Sequence, residues 1–441
     1  MSTFRIADAE SAAGRRLRRR IAARLDSLLD RKVEREARRI VEGVRRRGEE
    51  ALLAAVRRHD GSAPEQVAAL RLAPLAEDAG WPDLDPKLRA AIELAIDNVA
   101  RFHRAQLRPG SVLAADGALI EELVRPLDRV GIYVPGGRAS YPSTAIMTVV
   151  PARVAGVGEI AVATPARTYW QQPALRYTLA RLGIDEVWGI GGAQAVAALA
   201  FGCGPLRRVD AIAGPGNAWV AAAKRLVAGR VAIDGLMGPS EIAIVAGEDA
   251  DCERVAADLL AQAEHDPQAS ALLITASARL ARAVASAIER QLEGLATAPT
   301  ARAALVAFGG ALCVRDLDAA AKLARELAPE HLHLVGAEVE AAADRFEVAG
   351  AIFVGDATPE VFGDYVAGPS HVLPTCGTAR FASGLSVETF RRRTHRLRRF
   401  GDRHTAGWAD AAAVMALAEG LPAHAAAARL RVADRCGERA S

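Results

Sequence analysis

Several features are scarce in this sequence of 441 residues, and each absence argues against a class of protein. The five cysteines are scattered and form no CxxC pair, which argues against a disulfide framework and against a cysteine zinc cluster. No apolar run approaches the ~18 residues that a membrane-spanning helix needs. The amino terminus has no apolar stretch followed by a cleavage site, so we expect a cytoplasmic location.

An excess of charge of one sign is also absent. The chain has 56 basic and 53 acidic residues, so its net charge of +3 creates little field to attract a polyanion. Two arginine-rich segments, residues 15–20 and 391–399, allow either phosphate or nucleic-acid contact or a solvated helix face. Since no aromatic residues interleave with the arginines to stack on bases, we favour the solvated face and expect no nucleic-acid or membrane partner.

The pattern that is present is an alternation of short β-branched runs with alanine-rich helical stretches. Predicted strands at residues 129–134, 159–163, 186–190 and 209–213 alternate with helices, and the alternation resumes from residue 242 to residue 354. Strands separated by helices of 10–15 residues predict parallel sheets covered by helices. We therefore predict an α/β fold with two related, incomplete Rossmann-like parallel-sheet domains, a helical N-terminal segment and a helical C-terminal tail.

The predicted domain boundaries follow these changes of pattern. Residues 1–26 form a helical N-terminal segment, and residues 27–132 with 241–386 form a first α/β domain. Residues 133–240 form a second α/β domain, and residues 387–441 form the helical, basic tail. Helical spacing at the start of the chain rests on Ile21, Leu25, Leu28 and Leu29.

Glycine clusters mark the places where a ligand is expected. In open α/β sheets ligands bind at the carboxyl ends of the strands, and we place the clusters at those ends. They occur at residues 136–137, 191–192, 214–217, 238–241 and 368–371. Each cluster alone is equally typical of a tight turn. Because no GxGxxG fingerprint is present, a bound dinucleotide would not be held in the usual Rossmann manner.

Four of the nine histidines lie in polar segments beside turns or strand ends: His265, His331, His371 and His424. Gln262 and His265 are three residues apart at the end of a predicted helix and therefore share a face. An amide oxygen and an imidazole from one turn can supply half of a zinc site, since zinc takes about four nitrogen, oxygen or sulfur ligands. The alternative is an ordinary polar helix end.

Adjacent Glu330 and His331 cannot easily bind one metal together, but they can act as two separate proton-transfer groups. Two further segments each offer a carboxylate and an imidazole. These are Asp364 with His371 in a loop rich in glycine and proline, and Glu419 with His424 between two tail helices. Each pair alone would be an unremarkable loop.

Taken together, the ordered segments resemble the histidinol dehydrogenase family over roughly residues 35–432. The matching segments are residues 133–139, 191–195, 214–217, 238–241, 262–265, 328–332, 371–375 and 419–424. The resemblance implies NAD-dependent oxidation of L-histidinol to L-histidine in two hydride-transfer steps through the aldehyde, the last reaction of histidine biosynthesis. It also implies one zinc ion per subunit and a homodimer in which each tail reaches the partner's active site.

Carried over residue by residue, the resemblance implies roles for the polar side chains. The implied zinc ligands are Gln262, His265, Asp364 and His424, and the implied acid–base pair is Glu330 and His331. The implied substrate contacts are Ser240, Gln262, His265, His331, Asp364, His371, Glu419 and His424. The implied NAD contacts are Tyr133, Gln194 and Asn217.

The sequence departs from the family pattern at three places. Asp234 is followed by Gly235-Leu236-Met237 before Gly238, Ser370 stands where asparagine is usual, and residues 202–205 differ. None of these departures removes an implied catalytic or metal residue, which argues against a catalytically idle binding protein. They leave open a paralogous dehydrogenase that acts on another small polar alcohol or diol.

Overall fold

The computed structural model describes residues 3–24, 30–61, 63–72, 84–136, 141–399 and 405–433. The predicted helical positions Leu25, Leu28 and Leu29 lie outside the described residues, as do Gly137, Arg138 and Ala139 of the motif after the first predicted strand. The chain forms two compact units. The first comprises Met1–Leu107 and Leu127–Phe390, and the second comprises Arg108–Pro126 and Arg391–Ser441.

The strands of the described residues are, in chain order, β1 (Ile6–Asp8), β2 (Arg71–Leu72), β3 (Val112–Ala115), β4 (Ala118–Pro126), β5 (Arg129–Tyr133), β6 (Glu159–Thr164), β7 (Val187–Gly189), β8 (Ala211–Ala213), β9 (Ala232–Ile233), β10 (Glu241–Ala246), β11 (Ser270–Thr275), β12 (Gly310–Cys313), β13 (His331–Val335), β14 (Ala351–Val354) and β15 (Arg391–Arg399).

The helices are α1 (Ala12–Ala22), α2 (Arg31–Arg47), α3 (Glu49–His59), α4 (Pro86–Gln106), α5 (Pro142–Ala155), α6 (Ala166–Gln171), α7 (Pro173–Arg181), α8 (Gly192–Phe201), α9 (Ala218–Val227), α10 (Cys252–Ala263), α11 (Ala278–Glu293), α12 (Ala298–Phe308), α13 (Leu317–Leu327), α14 (Ala337–Ala341), α15 (Glu360–Tyr365), α16 (Thr405–Ala418) and α17 (Pro422–Ala433). Throughout the described ranges, no helix combines the length and the hydropathy needed to cross a membrane.

Two six-stranded sheets form the first unit and confirm the predicted α/β fold. Sheet A has the order β1-β12-β11-β10-β13-β14, and its strands are parallel. Sheet B has the order β2-β7-β6-β5-β8-β9 and is parallel except for the short pairing of β2 with β7. The first strand of each sheet in chain order, β1 or β2, lies at an edge. The remaining strands start at a central one, β10 or β5, wind outward to that edge strand and then return to the other side, so the two sheets share one winding pattern.

Helices cover both faces of each sheet, which explains why the central strands are apolar throughout. All six residues of β10 are buried, as expected for a parallel strand with no solvent-facing side. Sheet A packs against α10, α11 and α12 on one face and against α1 and α13 on the other. Sheet B packs against α5 and α7 on one face and against α2, α3, α8 and α9 on the other.

The packing of α2 and α3 differs from the predicted domain assignment. We predicted that residues 27–132 belong to the first domain, yet Ile40, Val44 and Leu52 share a core with Trp188 and Leu199 of the sheet B side. Strand β5, at residues 129–133, is also central in sheet B. The periodicity of a helix identifies its apolar face but not the sheet that the face covers, so this boundary could not be read from the pattern.

The second unit contains a three-stranded antiparallel sheet, β15-β4-β3, and the two helices α16 and α17. The prediction that the tail is helical from residue 387 is wrong for residues 391–399, because all nine residues of β15 pair with β4. Ion pairs cross this pairing, with Arg393 3.1 Å from Glu122 and Arg396 2.7 Å from Glu121. The strand depends on these partners, which lie about 270 residues earlier in the chain.

Candidate active site

His331, the first residue of β13, is the most buried of the predicted proton-transfer groups, at 3% exposure. Its Nδ1 lies 3.2 Å from the carbonyl oxygen of Glu241 and 3.1 Å from Oε1 of Gln262. Both partners are acceptors, so we assign the ring hydrogen to Nδ1 and the free lone pair to Nε2. Burial lowers the pKa of His331, although the nearby carboxylate of Asp364 opposes this shift. A neutral imidazole with its lone pair on Nε2 can act as a base at that atom.

Gln262 links His331 to His265 at the end of α10. The Gln262 side chain is fully buried, and its Nε2 donates to Nδ1 of His265 over 3.1 Å while its Oε1 faces His331. The predicted pairing of Gln262 and His265 on one helix face is thus present. It brings an amide oxygen, a partly solvated imidazole and the buried base into one cluster.

Asp364 approaches His331 from the other side. Its Oδ1 lies 3.7 Å from Nε2 of His331, and its carbonyl oxygen is 2.9 Å from Nδ1 of His371. Burial lowers the pKa of His371. We predicted that residues 363–365 form a loop, which is wrong because they end helix α15. The glycine that indicated a loop permits close packing instead, since a Cβ on Gly363 would lie 2.6 Å from the Phe353 ring.

Glu330, immediately before β13, has the opposite character to His331. Its buried carboxyl oxygen Oε2 accepts a hydrogen bond of 2.9 Å from the backbone N–H of Glu241. Burial raises the pKa of Glu330 well above its ordinary value, and the carboxylates of Glu241 and Asp364 add to this effect. A carboxyl with a raised pKa beside an imidazole with a lowered pKa is the arrangement in which environment separates the roles of two proton-transfer groups.

All of these groups lie at the amino ends of the strands of sheet A. Glu330 and His331 begin β13, and the turn at residues 238–241 precedes β10, so the predicted position of that glycine cluster at a carboxyl end is wrong. At the carboxyl ends, the pairing of β10 with β13 continues with a hydrogen bond of 2.8 Å from the N–H of Gly247 to the carbonyl oxygen of Val335. Asp249 also accepts from the N–H of Ala337 there, over 3.0 Å.

Arg24 and Glu241 support this site, and sequence reasoning assigned them no role. Arg24 donates from Nη1 to Oε2 of Glu241 over 2.8 Å and from Nη2 to the carbonyl oxygen of Ser240 over 3.1 Å. The other carboxylate oxygen of Glu241 accepts from the N–H of Cys376. These contacts fix the turn that carries Ser240. No local pattern signals them, because Arg24 and Glu241 are 217 residues apart.

The expected NAD contacts lie at the carboxyl ends of sheet B. Tyr133 ends β5, and its hydroxyl accepts from the N–H of Gly192 over 3.0 Å. Gln194 is buried in α8 and donates to Asp60 over 3.3 Å. Asn217 caps α9, since its Oδ1 accepts from the backbone N–H groups of the second and third residues that follow it. The amino ends of α8 and α9 point toward this edge, and such ends attract phosphate groups.

A buried ion pair holds the turn before α9. Lys224 donates from Nζ to the carbonyl oxygen of Gly214 over 2.6 Å and also to Asp234, whose other oxygen accepts from the N–H of Gly214 over 2.7 Å. Gly214 has φ +116°, and a Cβ there would lie 2.1 Å from the carbonyl oxygen of Tyr133. The pair and the glycine together set the position of Asn217.

The donor set of the first unit fits a zinc ion by its chemistry. Gln262, His265 and Asp364 supply an amide oxygen, an imidazole nitrogen and a carboxylate oxygen, which are ligand types that zinc accepts. Among the residues that the structure describes, no group of three or more His, Cys, Asp or Glu side chains is arranged to hold a metal ion. The remaining predicted ligand, His424, and the predicted substrate contact Glu419 belong to the second unit, at the start of α17 and just after α16.

A doubly wound α/β scaffold with a buried imidazole of lowered pKa, a carboxyl of raised pKa and an adjoining donor set is typical of an α/β enzyme. A sequence profile described as histidinol dehydrogenase matches residues 24–432. The chain therefore belongs to the histidinol dehydrogenase family, whose members are oxidoreductases.

Individual relatives agree with this assignment. The histidinol dehydrogenase of Moorella thermoacetica is 48% identical over 423 residues, which cover 95% of this chain and 98% of the relative. That of a Synechococcus strain is 45% identical over 403 residues, or 90% of this chain and 92% of the relative. The crystal structure of histidinol dehydrogenase from Elizabethkingia anophelis matches with a TM-score of 0.87 at 28% identity and covers 98% of both chains.

Proposed function

We propose that this protein oxidises L-histidinol to L-histidine with NAD, in two hydride-transfer steps through the aldehyde. The observation that carries the proposal is the adjacent pair His331 and Glu330, one neutral with a lowered pKa and one with a raised pKa. Membership in the family, and the names of relatives that are 45–48% identical, support L-histidinol as the substrate.

His331 acts as the base of the first step. Its Nε2 takes the proton of the substrate hydroxyl, while Nδ1–H stays hydrogen-bonded to the carbonyl of Glu241 and to Gln262. The lowered pKa keeps the imidazole unprotonated and ready at neutral pH. When bound, NAD accepts hydride and zinc polarises and anchors the substrate.

Glu330 serves the second step. An aldehyde has no hydroxyl proton to remove, so water must add before a second hydride can leave. Burial and the carboxylates of Glu241 and Asp364 raise the pKa of Glu330, which makes its carboxylate a stronger base than an exposed one and suits it to activate that water. Its Oε2 lies 3.9 Å from Nδ1 of His331, so the two proposed proton-transfer groups belong to one cluster.

The binding roles follow the same division. We propose that Gln262, His265, Asp364 and His424 hold the zinc ion, and that Ser240, His371 and Glu419 contact the substrate together with those ligands and His331. Tyr133, Gln194 and Asn217 would hold NAD at the carboxyl edge of sheet B. Two helix amino ends at that edge favour the pyrophosphate.

The second unit supports a homodimer with shared active sites. Its buried apolar cluster consists of alanines of α16 and α17, whereas Val414, Met415 and Leu430 are 58–67% exposed. Such exposed apolar side chains are typical of a protein interface. We propose that a second copy of the chain covers them and that Glu419 and His424 serve the active site of that copy.

Steady-state NAD reduction tests the proposed function. L-Histidinol should give the highest kcat/KM in a panel that contains small diols and an amino alcohol without imidazole, because the imidazole supplies a metal contact. The His331→Asn variant is the control for background reduction. A diol that exceeds L-histidinol would replace the proposed substrate with that of a paralogue, and the segment at residues 235–237 would be the first place to look for the cause.

Subunit mixing tests the shared site. One variant carries His424→Ala, and the other carries His265→Ala with Asp364→Ala. After denaturation and co-refolding, about half of the dimers are mixed, and in a swapped dimer roughly a quarter of all sites are then intact. Activity that stays at the level of the separate variants, in mixed dimers confirmed by mass, contradicts the shared site.

A further inference from the structure

Glu360, the first residue of α15, is a buried carboxyl that the mechanism above does not use. Its side chain is 0% exposed, and neither carboxyl oxygen has a hydrogen-bond partner within the part of the chain that the structure describes. Its Oε2 lies 3.7 Å from Nδ1 of His331. A buried, unpartnered polar group therefore points at the proposed base.

Glu360 and Asp364 bracket the imidazole of His331. The two residues are four positions apart on α15 and so share a helix face. Asp364 lies 3.7 Å from Nε2, and Glu360 lies at the same distance from Nδ1. The Phe353 ring on β14 lies 6.0 Å from the imidazole ring, and Gly363 allows α15 to pack against Phe353. One helical turn thus supplies a carboxyl to each ring nitrogen.

This placement is unfavourable for stability. A buried carboxyl without a hydrogen bond lowers the free energy of unfolding, because the group has lost its contacts with water. An apolar side chain of similar length would not lower it in this way. The groups that face Glu360 are the carboxyls of Asp364, Glu330 and Asp258 and the imidazole of His331. Burial raises the pKa of Glu360, and the three carboxylates raise it further. Residues that reduce stability in this way are expected where function needs them.

We propose that Glu360 is the positioning residue of His331 in the reaction proposed above, on which this inference rests. Its carboxyl faces Nδ1 at 3.7 Å and, together with the hydrogen bond to the carbonyl of Glu241, favours the tautomer with the ring hydrogen on Nδ1 and the lone pair of Nε2 free for the substrate hydroxyl. When Nε2 gains the substrate proton, Glu360 stabilises the positive charge of the ring, and that charge in turn favours the ionised form of the carboxyl. A base that is oriented by a third group from its far side is a recurrent arrangement in enzymes.

Gln262 cannot replace Glu360 in this role. Its Oε1 faces Nδ1 of His331, but that oxygen is also the expected donor to the metal. The carbonyl of Glu241 is neutral and belongs to the backbone. The Glu330 carboxyl also approaches Nδ1, with its Oε2 3.9 Å away, but that oxygen already accepts a hydrogen bond from the N–H of Glu241. Glu360 is the carboxyl on the Nδ1 side whose oxygens have no hydrogen-bond partner among the described residues.

Two substitutions and a matched control test the proposal. Glu360→Gln keeps the shape of the side chain, and Glu360→Met removes the polar group. Asp258→Asn is the control, because Asp258 also faces Glu360 but pairs with His333, at 3.1 Å, rather than with His331. The measurements are kcat and KM for L-histidinol, the primary isotope effect with L-histidinol deuterated at the carbinol carbon, and the thermal midpoint of each protein.

A positioning role predicts that kcat falls at least about tenfold in both Glu360 variants, a modest fraction of the effect of removing a base. The KM for L-histidinol stays near the native value, and the isotope effect rises because proton and hydride transfer become slower. Glu360→Met has a thermal midpoint equal to or above the native one. Asp258→Asn keeps its kcat.

The proposal is overturned if kcat of the Glu360 variants stays within about twofold of the native value. It is also overturned if the thermal midpoint of Glu360→Met is clearly below the native one, because that result would indicate a structural role. Native protein that fails to oxidise L-histidinol refutes the proposed function instead. The thermal midpoints still decide about Glu360 in that case, because they need no activity.

Discussion

Sheets A and B share one winding pattern, yet their functional side chains gather at opposite edges. At sheet B, Tyr133 is the last residue of β5 and Asn217 comes shortly after β8, so both lie at carboxyl ends of strands. At sheet A, Glu330 comes just before β13 and His331 is its first residue, so both lie at an amino end. The winding of a doubly wound sheet opens a crevice at the carboxyl ends. In sheet A the N–H of Ala337 donates to Asp249 at that end, whereas the proposed catalytic groups lie at the other edge. Topology therefore indicates where a ligand can bind but does not decide where the reaction occurs.

The two edges also differ in their chemistry. At sheet B the turn is built from glycines, helix amino ends and the neutralised pair of Lys224 and Asp234. At sheet A the carboxyls of Glu330 and Glu360 are buried with raised pKa values beside the neutral His331. Backbone N–H groups suit the binding of an anionic cofactor, and groups with shifted pKa values suit proton transfer. The comparison predicts that changes at sheet A reduce kcat and that changes at sheet B reduce affinity or stability.

The largest effect is expected at His331. His331→Asn removes the base and should lower kcat for both oxidation steps by ~10²–10⁴-fold. Asn217→Ala at sheet B should raise the KM for NAD and leave kcat close to the native value. Steady-state kinetics with L-histidinol and with the aldehyde measure both variants. A fall in kcat of similar size in both variants would remove the distinction between the two edges.

Glu330→Gln should affect one step of the two. An amide cannot take a proton from water, so oxidation of the aldehyde should slow by ~10²-fold or more, while the first hydride transfer is spared. Single-turnover measurements of NADH formation from the alcohol and from the aldehyde separate the steps. If oxidation of the alcohol and of the aldehyde slow equally, Glu330 does not act on the water. In that case Glu330 and His331 do not have separate roles in the two steps.

Among changes at sheet B, breaking the ion pair of Lys224 and Asp234 should cause the largest loss of unfolding free energy. Lys224→Met leaves a buried carboxylate without its cation, which costs about 3–5 kcal/mol of unfolding free energy. It also loosens the turn that carries Asn217, so the KM for NAD should rise. Urea unfolding measures the loss. The matched control is Arg254→Met, which breaks an exposed pair with Asp356 and should cost below ~1 kcal/mol. Equal losses in both variants would contradict the assigned importance of the buried pair.

Much of the fold could be predicted because periodicity is a local signal. The predicted helices at residues 218–227 and 317–327 and the predicted strand at residues 351–354 have the observed bounds of α9, α13 and β14. The strand β15 was missed because its stability comes from partners on β4, and its arginines carry no alternating apolar pattern. The sheet covered by α2 and α3 was also missed, since it depends on packing between distant segments.

The site was predictable to the extent that its residues occur in ordered local segments. Gln262, His265, Glu330, His331 and Asp364 gather in one cluster of the first unit. Arg24 and Lys224 were missed, because their importance arises from burial and from partners at a distance. Glu360 carried one usable signal, its spacing of four residues from Asp364, which the prediction of a loop concealed.

The smallest expected effect is the contribution of two buried histidines to the pH dependence of stability. His103 lies on α4, in the core beside α5, and His333 lies on β13 of sheet A. Burial lowers the pKa of His103, whose Nδ1 is 2.7 Å from Gln106. Burial alone would lower the pKa of His333 too, but contacts with Asp258 and the carbonyl of Gly355 raise it overall. The two side chains should therefore make opposite contributions to the dependence of stability on pH.

For His103 the unfolded chain binds the proton more tightly, so its contribution is present above the ordinary pKa of about 6.5 and is lost as pH falls. For His333 the folded chain binds the proton more tightly, so its contribution is complete below that value and is lost as pH rises through the folded pKa. Relative to the native protein, His333→Leu should therefore lose more stability at about pH 5.5 than at about pH 8, and His103→Leu should show the reverse. Thermal midpoints at both pH values measure the differences, which should be on the order of a degree. Parallel shifts in the two variants would show that the two histidines do not differ as their surroundings require.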